Sequence, residues 1–117
     1  MVKKKHAASR VYKRKNFLSL LCEHRNNTIK RNKLIDLASN DEVKAICEVI
    51  SNILNGNIKL ASSNIKKLQK YKRILRLLAD RKTSAKDRKK TLKQTGGFLS
   101  VILPAALSLL TSIFSRR

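Results

Sequence analysis

Residues 96–115, GGFLSVILPAALSLLTSIFS, contain no charged side chain, in a chain of 117 residues whose formal net charge is +21. So apolar a segment must be taken out of water by something. From Phe98 to Phe114 the apolar run is 17 residues, at the lower edge of the roughly 17–25 that a helix needs to cross a bilayer. Pro104 is tolerable near a first turn or at a kink. Ser100, Ser108, Thr111 and Ser115 fall close to one helical face. A weakly amphipathic helix flanked by Lys93 and Arg116-Arg117 suits a membrane surface as well as a span. Its contact residues would be Phe98, Leu99, Val101, Ile102, Leu103, Leu107, Leu110, Ile113 and Phe114, with Gly96-Gly97 as a hinge. Three destinations compete: an anionic membrane, a hydrophobic groove on a partner such as a shell subunit, and the chain's own core. The narrow polar stripe disfavours the third, because packing at home would leave apolar area exposed. The expectation is a separate hydrophobic C-terminal helix.

The charge is unevenly distributed. Residues 1–15 carry seven Lys/Arg and no acid, a pattern expected of a flexible arm that orders on an anion. Residues 16–60 hold five of the seven acids, whereas residues 61–95 hold thirteen Lys/Arg against Asp80 and Asp87. Solubility asks a small domain for a net charge of only about 2 to 8. The excess implies a polyanionic partner.

The middle of the chain is helical by pattern. Val43, Ile46, Cys47, Ile50, Ile53 and Leu54 form one apolar stripe. Ser39-Asn40-Asp41-Glu42 is a capping box at its start, and Asn55-Gly56-Asn57 a stop at its end. A following helix starts at Ser62 or Ser63, with Ile65, Leu68, Tyr71, Leu75 and Leu78 on one face through about residue 79. Phe17, Leu18, Leu21 and Cys22 mark a short upstream helix. Ile29, Leu34, Ile35 and Leu37 mark a second, broken from the first around Asn26-Asn27. Ser84-Ala85-Lys86-Asp87 opens a basic helix through about Lys93. No stretch alternates with the period of a strand. The fold class is therefore all-α: a small helical bundle over 16–82, a basic arm over 1–15, a basic helix or linker over 83–95, and the hydrophobic segment over 96–117.

Several function classes drop out. Two distant cysteines and two histidines offer no zinc ligand set, and no cofactor motif is present. Cys22 and Cys47 read as buried thiols, with a disulfide between them left open. No nucleophile, base and acid set, paired carboxylates or phosphate loop supports catalysis. Trp is absent and aromatics are 4%, too few for base-stacking platforms. The connection from Gly56 to Ala61 is longer than a helix-turn-helix allows. Lysine and arginine around the 62–82 helix neutralise phosphates without reading bases. The candidate phosphate contacts are Lys13, Arg14, Lys15, Lys66, Lys67, Lys70, Arg73, Arg76, Arg81, Lys82, Arg88, Lys89 and Lys90.

The join of the basic tract to GGFLSVILPAALSLL resembles the adenovirus core protein X (mu) family. There an arginine-rich, DNA-condensing stretch precedes Gly-Gly, a bulky apolar pair, a proline and an apolar tail. The block NDEVKAICEVISNILNGNIKLASSNIKKLQKYKRILRLLADRK is similar to small proteins of adintoviruses and related Polinton (Maverick) elements, thought to be counterparts of protein X. The likeness covers roughly residues 16–110 and carries over Gly96, Gly97, Phe98, Leu99 and Pro104 with the preceding basic cluster. This chain departs from protein X in being lysine-rich and helical. The resemblance implies a virion or transposon core protein packing double-stranded DNA, located in a virion core or host nucleus. An anionic membrane or capsid shell protein would be a second partner through the tail, and a homo-oligomer is compatible with it. The alternative expectation is a membrane-active or tail-anchored basic protein whose cations bind anionic lipid.

Overall fold

The computed structural model describes residues 11–56 and 60–114, with side chains through residue 108. Most of the basic arm, the connection at 57–59, and the side chains of Leu110, Ile113 and Phe114 lie outside the described residues. The chain runs through helices α1 (Lys15–Glu23), α2 (Thr28–Leu37), α3 (Asn40–Leu54), α4 (Ser62–Gln69), α5 (Lys72–Ala79) and α6 (Ala85–Thr95). A 3₁₀ turn (Gly96–Phe98) then leads into α7 (Leu99–Phe114). No strand occurs among the described residues, so the all-α expectation holds.

The start and stop signals act as their chemistry requires. Ser39 Oγ accepts from the Glu42 N–H at 3.1 Å while Glu42 Oε1 accepts from the Ser39 N–H at 2.9 Å, closing the capping box of α3. Gly56, at φ 75°, takes the left-handed conformation that ends this helix. Asn27 Oδ1 caps α2 by accepting from the Lys30 N–H, and Ser84 Oγ caps α6 by accepting from the Asp87 N–H. Two local expectations need correction. Helix α4 does start at Ser62, but neither serine caps it: Ala61 occupies the capping position and no side chain accepts from the first turn. The single helix expected through residue 79 is divided at Lys70-Tyr71, where the Tyr71 N–H bonds the Leu68 carbonyl in a tightened turn.

The hydrophobic segment is not a separate helix. Phe98, Leu99, Ile102, Leu103 and Ala106 are almost wholly enclosed, in one cluster with Val11, Leu18, Leu21, Val43, Ile46, Ile50, Leu75, Leu78 and Leu92. Helix α7 packs chiefly along α1 and also touches α3 and α4, while α3 packs along α5, and α6 lies against α2 and α3. The boundaries drawn at 82/83 and 95/96 therefore fall inside one packed core. A radius of gyration of 13.2 Å matches the roughly 13 Å of a compact chain of about this size. The physical reason is side-chain size. Pro104 and Ala105 carry little apolar area, so the described part of the outer face of α7 leaves less exposed than the near absence of polar residues suggested. Ser108 is exposed there, and Ser100 turns its hydroxyl onto the Gly97 carbonyl at 3.0 Å. No helix among the described residues is long and apolar enough to cross a membrane.

Gly96-Gly97 is likewise a packing device rather than a hinge. A Cβ on Gly96 would stand 2.9 Å from the Arg31 guanidinium carbon, and one on Gly97 would stand 3.2 Å from the Tyr71 hydroxyl. The bare backbone lets both side chains close over the turn that aims Phe98 inward. If Phe98 is a core residue, Phe98→Ala will cost about 3–5 kcal/mol in denaturant unfolding. Removing residues 99–117 will abolish the cooperative transition. A tail independent of the bundle would leave the unfolding curve unchanged in both experiments.

Candidate nucleic-acid interface

The α4–α5 pair turns one apolar edge to the core through Leu68, Leu75 and Leu78, with Tyr71 and Ile74 half-buried beside them. That edge fixes what faces water. Lys66, Lys67, Lys70, Arg73 and Arg76 are all exposed, and Arg81 and Lys82 extend the exposed series into the turn after α5. Lys72, which the sequence reading passed over, is exposed in the same stretch. Four residues after Leu68 and three before Leu75, it would lie on the apolar edge of an unbroken helix; the division at Lys70-Tyr71 breaks that register, so nothing local marked it as exposed.

The turn between the two helices is held from below. The Tyr71 ring packs on Phe98, with centroids 5.6 Å apart and planes tilted by 57°, a favourable offset geometry. Lys70 Nζ lies 5.4 Å from the Tyr71 ring centroid, within cation–π range. After α5, the Asp80 carboxylate accepts from the Lys82 N–H at 2.9 Å, and Thr83 Oγ1 donates to the Leu77 carbonyl at 2.8 Å. These local bonds order the backbone that carries Arg81 and Lys82.

The acids are spent elsewhere. Asp41 pairs with Arg14 at 2.6 Å, Asp36 with Lys93 at 2.6 Å, and Glu23 sits 3.4 Å from its neighbour His24. Glu42 is held in the α3 cap. Among the described residues, no carboxylate forms an ion pair with Lys66, Lys67, Lys70, Arg73 or Arg76.

Other members of the expected set have different jobs. Arg14 ties the start of α1 to the start of α3. Lys15 donates to the Tyr12 hydroxyl at 3.3 Å and lies over that ring, yet remains exposed, as does Lys13. Lys89 is half-buried and reaches the Asp36 carbonyl at 3.1 Å. Arg88 is the clear correction. It is only 8% exposed, and its Nη2 donates to the Asp80 carbonyl at 2.8 Å. It faces inward because α6 turns the Arg88–Leu92 edge to the core.

Beside Arg88 stands Cys47, whose thiol is pushed up to about 11, first by burial, then by Glu48 against the opposing pull of Arg88. Both cysteines are free and buried. No group of three or more metal-ligating side chains occurs among the described residues.

No protein-family model, curated protein or solved structure matches the chain.

The Cys47 shift has a testable sign. The folded state holds the thiol proton more tightly than the unfolded chain, so stability falls as pH climbs from about 9 towards 11. Urea midpoints across this range will decline for the native sequence, and Cys47→Ala will flatten the decline. At about pH 8, a thiol reagent will label Cys47 no faster than the protein opens.

Proposed function

We propose that the chain is a non-enzymatic core protein that binds and condenses double-stranded DNA without sequence preference, in a virus or virus-derived element. The observation that carries this reading is the α4–α5 surface: a run of exposed Lys and Arg without carboxylate partners among the described residues, anchored to the core through Tyr71 and Phe98. Phosphates supply the charge that the chain withholds from this surface. Lys13, Lys15, Arg81, Lys82 and Lys90 add to the cationic area. The setting implied is a virion core or a nucleus, and the resemblance of the Gly96–Pro104 region to viral core proteins points the same way.

Lysine dominates the patch and amide side chains are few. Lysine meets phosphate as a point charge, without the planar two-bond fit by which arginine picks out guanine. Such a surface gives affinity and little discrimination. Tail contact with a membrane or capsid shell, and likewise the alternative of a tail-anchored basic protein, would have to withdraw Phe98, Leu99, Ile102 and Leu103 from the core. The DNA reading asks for no such rearrangement.

Binding to a random-sequence duplex, followed by fluorescence anisotropy at rising salt, tests the proposal. With about eight phosphate contacts, log K falls against log salt with a slope near −7. Replacing Lys66, Lys67, Lys70 and Arg73 with Ala reduces the slope by about 3 to 4, equally for unrelated duplexes. An affinity indifferent to salt, or a quadruple variant that binds as well as the native chain, overturns it.

A further inference from the structure

Helix α2 is assembled inside out. At its centre Arg31, 7% exposed, occupies a core-facing position beside buried Ile35, while Ile29 and Leu37 stand 81% and 76% exposed. The Arg31 guanidinium lies against Gly96, and burial holds it below the ordinary arginine value. Its Nε and Nη2 share a single acceptor, Asn32 Oδ1, each at 3.3 Å. Desolvating an arginine while leaving two large aliphatic side chains in water runs against the partition that governs folding. Breaches of this kind concentrate where a surface has a task.

The outward face has a definite make-up. Ile29, Lys33 and Leu37 follow one another at four-residue intervals, within about 80° of each other around the helix. Lys30 flanks them, and all four are exposed. The one acid of the helix, Asp36, lies on the same exposed side next to Ile29, but its charge is matched: Lys93 pairs with its carboxylate at 2.6 Å and Lys89 bonds its carbonyl at 3.1 Å. What remains is two apolar tips two helical turns apart, with lysines between and beside them, on a ridge.

We propose that this α2 ridge docks on an anionic lipid surface, with Ile29 and Leu37 entering the acyl boundary and Lys30 and Lys33 meeting headgroup phosphates. The chemistry selects the occupant. A duplex offers phosphates but no apolar phase for the two aliphatic tips. A second copy brings another +21 to the contact. An anionic bilayer offers both phases at once and accepts separate side chains without a matching groove. The site is independent of the α4–α5 surface and of the buried α7 segment.

The test uses the full chain and extruded vesicles of phosphatidylcholine, with and without phosphatidylserine, at physiological salt. Partition by sedimentation will favour the serine-containing vesicles, and Ile29→Ser with Leu37→Ser will weaken it about tenfold or more. Duplex affinity will stay unchanged, which separates this proposal from the DNA reading. Since the chain has no Trp, Ile29→Trp provides a reporter. Its emission will shift to the blue on vesicles and be quenched by brominated acyl chains, whereas Gln94→Trp on the exposed part of α6 will not respond. Partition unaffected by the double serine variant, or indole emission from the Ile29→Trp variant unmoved by vesicles, overturns the proposal. So does a double variant that loses only self-association, which would assign the ridge to a second copy.

Discussion

Burial of Phe98 beneath Tyr71 is the contact on which the rest of the fold depends. It brings the charge-free C-terminal helix down onto α1 and joins the core to the turn between α4 and α5. Two glycines make it feasible, because a methyl at either would press on Arg31 or Tyr71. Without α7, the inner faces of α1 and α4 would lose a principal neighbour. About sixty residues of short helices would then have to hide too little apolar surface against strong cationic repulsion.

Electrostatics is arranged around that core rather than through it. The few carboxylates are placed where they stitch elements together: Asp41 joins α3 to α1, and Asp36 joins α2 to α6. Such partly exposed pairs add little stability individually. Their larger effect is on the field, since pairing Asp36 and Asp41 with Lys93 and Arg14 leaves the exposed Lys and Arg of α2, α4 and α5 to set the charge of those faces. Arg88 and Arg31 are the exceptions, cations drawn inside and given carbonyl or amide oxygens in place of water.

Much of the local structure was legible in the sequence. The Ser39–Glu42 capping box, the Gly56 stop and the α3 stripe depend on neighbours a few residues apart, and they formed as read except that Leu54, at the end of the stripe, is exposed. So did the exposure of Lys66, Lys67, Lys70, Arg73 and Arg76, which follows from the apolar edge opposite. Errors arose where distant parts of the chain meet. Nothing local says that Arg31 will fill a core position while Ile29 and Leu37 are left out, since that is decided by Gly96, far along the chain. Nothing local turns Arg88 inward. The polar stripe of the C-terminal segment was visible, but whether its apolar side meets lipid or Leu18 and Leu21 is a tertiary question. Small residues at 104 and 105 were the available clue, because they reduce the area left over when the helix packs at home.

The inward turn of the C-terminal segment also determines how its sequence can drift. Contact with lipid tolerates any exchange among large apolar residues, because a fluid has no fixed shape to match. A close-packed interior does not. At Phe98, Leu99, Ile102 and Leu103 the acceptable replacements are therefore those that preserve volume and branching, while Ser108 on the exposed side is open to charge. A segment that composition alone would class with membrane anchors should evolve like the inside of a globular core.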